Sequence, residues 1–222
     1  MSPRASCIAL LLALPPALTL TPTVGSAVAD GVSPGALLSG PRAAQAAVSV
    51  QLSLEELVSR AAFVVVATAT EQRSQWEELG GSRRIVTYTR LSVDRPVAGQ
   101  PDGEVWVRTL GGVVGDVGQQ VSGDAQLRIG AQAMIFVSRA GSALVVSGMA
   151  QGHYPVVQGE ETARVAGAPR IAVRRLAASP DGGTVLPRTG PAISAREQLV
   201  GATLDAACDA VSRAWKASHA QK

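Results

Sequence analysis

The sequence predicts a mainly β domain: a small, partly open antiparallel barrel of the OB type, with a short N-terminal helix and a C-terminal amphipathic helix. Three observations support this fold class. Strand-length apolar or alternating runs follow one another between Phe63 and Val157, glycine and proline turns separate them, and two capping boxes mark helices on either side. A two-sheet sandwich is the alternative architecture for the same spacing.

Residues 1–29 have the layout of a secretory signal peptide. Met1–Arg4 is a short basic start, Ala5–Leu20 is almost entirely apolar, and Ala27-Val28-Ala29 supplies a small-x-small cleavage pattern. Pro15-Pro16 interrupts the apolar run, which is also too short to span a bilayer. We therefore expect export to the periplasm or the extracellular space, with no stable membrane insertion after cleavage. A retained anchor is the alternative.

Charge and cysteine content exclude several classes of protein. The chain has 222 residues and a formal net charge of +3, which becomes +2 when cleavage removes Arg4. Nucleic-acid binders concentrate Lys and Arg on one surface, so this small surplus predicts no nucleic-acid partner. Only Cys208 remains after cleavage, which excludes an internal disulfide framework. The remaining length, about 190 residues, suits one core with appendages.

A leader and then the strands of the barrel domain are predicted before the C-terminal part of the chain. Residues 30–47 are rich in Ala, Gly, Ser and Pro and predict a flexible leader, and the barrel domain is expected over residues 48–176. Ser53 and Glu56 form a capping box that starts a short helix. The later elements are predicted from the same kinds of pattern: a strand at Phe63–Thr70, a Gly80-Gly81 turn, an alternating strand at Arg84–Val93, and strands at Glu104–Arg108, Ala133–Val137, Leu144–Ser147 and Tyr154–Val157, with a more exposed ribbon over Ala163–Leu176.

The C-terminal part is predicted to be a loop followed by a helix. Residues 177–192 have a loop composition, and Ser194 and Glu197 form a second capping box. Behind it, apolar residues including Leu204, Cys208 and Val211 recur at helical spacing. We expect one amphipathic helix over residues 193–217, packed against the barrel.

Several stretches between roughly Leu52 and Val157 form a recognisable pattern: Leu54-Glu55-Glu56-Leu57-Val58, Phe63–Thr70, Trp76, Ile85–Val93, Gly111-Gly112, Gly118-Gln119, Val121 with Gly123, Gly130–Phe136 and Ala150-Gln151-Gly152 before Tyr154. In these stretches and in the order of its elements, the chain resembles an uncharacterised family of exported bacterial domains. More remotely, it is similar to netrin-type OB modules, which include the tissue inhibitors of metalloproteinases. The resemblance implies a β-barrel whose partner is another exported protein, such as a protease. Those inhibitors place an N-terminal cysteine on the protease zinc, and this chain has no cysteine near its mature start, so that mechanism is not carried over.

A glycine-rich segment, residues 111–130, separates two predicted strands and is the first candidate site. Loops longer than about 12–15 residues are uncommon inside a compact domain and are usually functional or disordered. No Gly-Lys-Ser or Gly-Lys-Thr follows, which excludes a phosphate loop, and Asp116 and Asp124 are too few for a calcium loop. A structural lid or bulged connection is the alternative. The predicted partner-binding residues are Gly112, Gly115, Asp116, Gly118, Gln119 and Gln120.

Four aromatic residues on predicted strands form the second candidate site. Exposed aromatic side chains on one face of an OB barrel can stack on sugars or other small ligands. Core and rim packing is the structural alternative. The residues are Trp76, Tyr88, Trp106 and Tyr154.

Reactive side chains form no recognisable constellation. His153 and His219 are far apart, and a zinc site needs three or four ligands. Ser147 and His153 lack a Gly-x-Ser-x-Gly context, and Cys208 lies on the apolar stripe of its helix. We therefore predict no catalytic residue, metal or cofactor, and a non-enzymatic module that binds an exported protein through residues 111–130. A carbohydrate or small-ligand binder on the aromatic face is the alternative, and a hydrolase without a recognisable motif is the third.

Overall fold

The structure is a computed structural model that describes residues 48–162, 170–180 and 182–220. The predicted signal peptide and leader lie outside the described residues, as does the first half, residues 163–169, of the ribbon predicted over Ala163–Leu176. Among the described residues, none of the helices has the length and apolar character needed to cross a bilayer.

The described chain is mainly β. Its helices are α1 (Leu54–Arg60), α2 (Ala195–Leu199) and α3 (Leu204–His219), with a 3-10 turn at Met149–Gly152. Its strands are β1 (Val48–Val50), β2 (Phe63–Leu79), β3 (Ser82–Ala98), β4 (Glu104–Leu110), β5 (Gly112–Val114), β6 (Val117–Gln119), β7 (Gln132–Ala140), β8 (Ala143–Val146), β9 (His153–Thr162), β10 (Arg170–Leu176) and β11 (Thr184–Leu186).

The main sheet closes partly into a ring. Its strand order is β10-β9-β7-β2-β3-β4-β8, and β8 also pairs with β7, which closes β7-β2-β3-β4-β8. The closing contact between β4 and β8 is parallel and short, with Val107 opposite Leu144 and Arg108 opposite Val145. β9 and β10 continue the sheet from β7 outside the ring. The predicted mainly β, partly ring-like architecture is confirmed.

The β2–β3 hairpin is much longer than the core that it helps to form. Gly80 and Gly81 make its turn with φ of +59° and +74°, as the sequence predicted. Each strand has 17 residues, so the hairpin extends beyond the apolar run Phe63–Thr70. A register shift between Ala69 and Glu71 changes which residues of β2 share a face.

Two hydrophobic clusters lie on opposite sides of the β2 sheet. Phe63, Val65 and Ala67 of β2 point into the ring, whereas Val64 and Val66 face the helices. Because both faces are covered, the start of β2 is apolar at every position rather than alternating. The helix-side cluster is completed by residues including Leu57, Phe136, Leu176, Leu199, Leu204, Cys208 and Val211.

The C-terminal region contains two helices where the sequence predicted one. The Ser194 capping box starts the five-residue α2, which ends before Gly201. Gly201 has a φ of +83°, a left-handed conformation that a helix interior does not contain. Thr203 then accepts a hydrogen bond from the backbone N–H of Ala206 and starts α3 as a new helix.

The predicted loop, residues 177–192, also contains structure. Its strand β11 pairs in parallel with β1. Arg188 forms an ion pair with Glu56, the residue that completes the capping box of α1, and donates to the carbonyl of Gln51. These contacts fix the loop against the start of the domain.

Candidate functional site

Part of the glycine-rich segment folds as a second, small hairpin. β5 and β6 pair in antiparallel fashion, with Gly112 opposite Gln119 and Val114 opposite Val117, so Gly115 and Asp116 form a two-residue turn. Gly115 has a φ of +59°, and a Cβ built on it meets no atom within 4 Å. Gly118 lies on β6 and has only Val113 near it. This end of the hairpin is open to solvent.

The base of the hairpin is packed against the β2–β3 ribbon. Gly112 has a φ of +135°, and a Cβ there would lie 2.6 Å from the hydroxyl oxygen of Ser74 and closer still to that of Thr87. The side-chain oxygen of Gln119 accepts a 2.8 Å hydrogen bond from the backbone N–H of Ile85. Gly112 and Gln119 therefore anchor the hairpin, whereas the neighbouring Gln120 is exposed.

The rest of the segment closes one end of the ring. Ala125 and Leu127 are buried in the cluster inside the ring. The buried carboxylate of Asp124 accepts hydrogen bonds from the backbone N–H groups of Leu110 and Ala125. Burial raises the pKa of Asp124, although the two hydrogen bonds oppose that rise. Residues 124–127 therefore act as a structural connection, which is the alternative to a partner-binding loop.

Two of the exposed side chains of the hairpin are apolar. Val113 is 66% exposed and Val117 is 50% exposed. The register places Val113 beside Gly118 and Val117 beside Val114, so the two exposed valines project from opposite faces. Asp116 lies between them at the turn and is also exposed. We call residues 113–118 the hairpin tip.

Tyr88 and Trp106 come together on the outer face of the main sheet. They line a cleft of about 230 Å³ with Arg73 and Gln75. The Arg73 guanidinium lies over the Trp106 ring, 5.2 Å from its centroid. The Tyr88 hydroxyl donates a 2.8 Å hydrogen bond to Glu77. Both aromatic side chains therefore already have partners in the protein.

Glu77 is the centre of a polar cluster next to this cleft. Arg108 lies 3.1 Å from its carboxylate, and both side chains are largely buried. Hydrogen bonds from Gln75, Tyr88 and Arg108 hold the pKa of Glu77 below its usual value. Burial, together with Glu77, raises the pKa of Tyr88.

The other two aromatic residues of the predicted set lie elsewhere. Trp76 is opposite Ile85 in the register, on the other face of the ribbon from Tyr88, and the Arg83 guanidinium stacks over its ring at 4.8 Å. Tyr154 is 3% exposed and contacts Phe136 edge-on, with ring centroids 6.1 Å apart. The four aromatic residues therefore occupy three separate places.

The titratable candidates are also dispersed. The described residues contain no group of three or more His, Cys, Asp or Glu side chains placed to hold a metal ion. His153 is buried, its Nδ1 lies 2.9 Å from Ser179 Oγ, and burial lowers its pKa to about 4. The buried hydroxyl of Ser147 has no hydrogen-bond partner within the part of the chain that the structure describes. Cys208 is buried, which raises the pKa of its thiol.

Comparison with known proteins adds no further assignment: no family model, curated protein or solved structure matches this chain.

Proposed function

We propose that this protein is an exported, non-enzymatic binding module that contacts another exported protein through its hairpin tip. The observation that carries the proposal is the exposure of Val113 and Val117 on a hairpin whose base is held by Gly112 and Gln119. An apolar binding element on a fixed base loses little conformational freedom when it binds, which favours affinity.

The shape of the tip indicates what kind of surface it fits. Val113 and Val117 project from opposite faces, so a flat partner would cover only one of them. A groove that takes the whole tip would cover both and would also approach Asp116. Active-site clefts of proteases are such grooves, and a protease is the partner class that the netrin-type resemblance implies.

We also infer that the ring belongs to the OB class, a five-stranded, partly open Greek-key barrel. The support is its strand order, β2-β3-β4-β8-β7, with the parallel contact between β4 and β8. The remote relation to netrin-type modules is part of the same proposal.

Affinity capture tests the function. Residues 30–222 would be immobilised and exposed to the exported proteins of the source cells, beside a Val113→Thr/Val117→Thr variant. Threonine keeps the shape and strand propensity of valine and removes apolar surface. A matched control carries Val50→Thr and Val157→Thr, two exposed valines on other strands.

We expect a protein that the unaltered chain and the control retain and the tip variant does not. The captured protein would then be purified, its binding to all three chains measured directly, and its hydrolysis of casein assayed with and without them. Equal retention on the three columns, or no retention on any, would contradict the proposal.

A carbohydrate or small-ligand site on the outer sheet face is the second candidate. It is favoured by the shared cleft of Tyr88 and Trp106 and by the use of the strand 2 and strand 3 face for binding in OB barrels. β3 and β4 are those strands in this ring. A glycan screen against the unaltered protein and Trp106→Leu would test it, and binding that Trp106→Leu leaves unchanged would exclude this cleft.

A further inference from the structure

A second cavity lies away from the hairpin tip, between the end of β1, the start of β9, the chain around Ser179 and the start of α2. Its volume is about 390 Å³, within the range of about 300–1,000 Å³ that small-molecule sites occupy. Leu52, Ala150 and Val185 contribute apolar walls. No acidic side chain of the described residues lines it. The cavity therefore suits a ligand with an apolar body and without positive charge.

Tyr154 places an unused hydrogen-bond donor in this cavity. Its ring is held against Phe136, and only 3% of the residue is exposed. The hydroxyl has no hydrogen-bond partner among the described residues, and it is not one of their solvent-excluded unpaired atoms, so it is free to meet a ligand in the cavity. Burial raises the pKa of Tyr154 far above neutral pH, so the hydroxyl keeps its proton and is available as a donor.

Arg196 supplies a positive charge next to that hydroxyl. Its side chain lines the same cavity, and its charge opposes part of the rise in the pKa of Tyr154. It forms no ion pair with the described residues, unlike Arg188 or Arg108. A guanidinium binds carboxylates through short, charge-assisted hydrogen bonds and is the side chain best suited to that role.

We propose that this cavity binds a small organic carboxylate. The Tyr154 hydroxyl and the Arg196 guanidinium hold the carboxylate oxygens, and Leu52 and Val185 contact the apolar body. One cation and one neutral donor match a single negative charge, whereas a phosphate dianion would bring more charge than the cavity neutralises. The site is separate from the hairpin tip and does not depend on the function proposed for it.

Calorimetric titration of residues 30–222 tests the site. The probes are acetate, hexanoate and benzoate, with hexanamide and benzamide as uncharged analogues of the same shape. The variants are Tyr154→Phe, which removes one oxygen atom and keeps the ring, and Arg196→Gln. Arg213→Gln, on the exposed side of α3, is the matched control because it removes the same charge elsewhere.

We expect saturable binding of hexanoate or benzoate, with the matching amide at least tenfold weaker. Arg196→Gln and Tyr154→Phe should each weaken carboxylate binding about tenfold or more, and Arg213→Gln should leave it unchanged. Melting curves of the variants without ligand identify any that fail to fold, and either variant alone is sufficient for the test. No binding by any carboxylate, or equal binding by carboxylate and amide or by all variants, would overturn the proposal.

Discussion

The hydroxyl of Thr87 donates a 2.7 Å hydrogen bond to the carbonyl of Gly111 and thereby fixes the base of the small hairpin. The same hydroxyl oxygen lies 2.9 Å from Ser74 Oγ. Both oxygens approach Gly112 so closely that they leave no space for a Cβ. The position of the hairpin therefore depends on glycine at residue 112.

Gly112→Ala should destabilise the protein by roughly 2–4 kcal/mol, since it combines backbone strain at positive φ with a steric clash. Gly115→Ala is the matched control, because it also has a positive φ but meets no atom, and it should cost only about 1 kcal/mol. Urea unfolding followed by tryptophan fluorescence measures both. Equal losses of stability would contradict the packing role of Gly112.

The sequence shows how the hairpin itself could have been predicted. Val113-Val114-Gly115-Asp116-Val117 has a Gly-Asp pair between β-branched residues, which is typical of a two-residue hairpin turn. In contrast, nothing local indicates that Leu127 and Ala125 are part of the core, because their burial depends on the ring that they close. The glycine-rich segment therefore contains one predictable element and one that depends on tertiary structure.

The division of the aromatic residues was not predictable from strand alternation. The apolar, β-branched run Phe63–Thr70 predicts β2 and the alternation over Arg84–Val93 predicts β3, and both are strands in the structure. However, the register shift between Ala69 and Glu71 places Trp76 on the same side of the ribbon as Ile85, away from Tyr88 and Trp106. A shift of one residue exchanges the two faces of a strand, and the sequence carries no local signal for it.

Glu77→Gln should destabilise the far half of the β2–β3 hairpin. The substitution weakens the hydrogen bonds from Tyr88 and Arg108, and we expect a loss of about 1 kcal/mol at pH 7. Folding lowers the pKa of Glu77. The contribution of the Glu77 carboxylate to the free energy of unfolding is therefore complete above the pKa of the unfolded state, near 4.3, and is lost as the pH falls through the pKa of the folded state. Glu78→Gln, at an exposed position on the same strand, should change stability by less than about 0.5 kcal/mol. Similar losses for the two variants would show that Glu77 contributes nothing specific.

Asp124 should have the opposite pH dependence. Folding raises its pKa, so the folded state binds more protons than the unfolded state between the two values, and the free energy of unfolding decreases as the pH rises through this interval. The amide of Asp124→Asn does not titrate, so this variant lacks the pH dependence that Asp124 contributes. We expect its stability relative to the unaltered protein to be lowest near pH 4 and to improve towards pH 7. Urea titrations at both pH values measure the difference, and a constant difference would contradict the shift.

His153 should make the protein sensitive to mild acid. Its pKa is about 4 in the folded protein and about 6.5 when unfolded, so the unfolded state binds more protons between these values. The free energy of unfolding therefore decreases as the pH falls from 6.5 to 4, by roughly 3 kcal/mol from this group alone. In His153→Asn an amide takes the place of Nδ1 beside Ser179 without titrating.

The stability difference between the unaltered protein and His153→Asn should therefore shrink by that amount between pH 7 and pH 4 in urea unfolding experiments. Ser179→Ala distinguishes the effect of the hydrogen bond from the effect of burial, because it removes the hydrogen bond to Nδ1 and leaves the imidazole buried. Since burial is the cause of the lowered pKa, Ser179→Ala should keep the pH dependence of the unaltered protein. If Ser179→Ala abolished that dependence, the hydrogen bond rather than burial would control the protonation of His153.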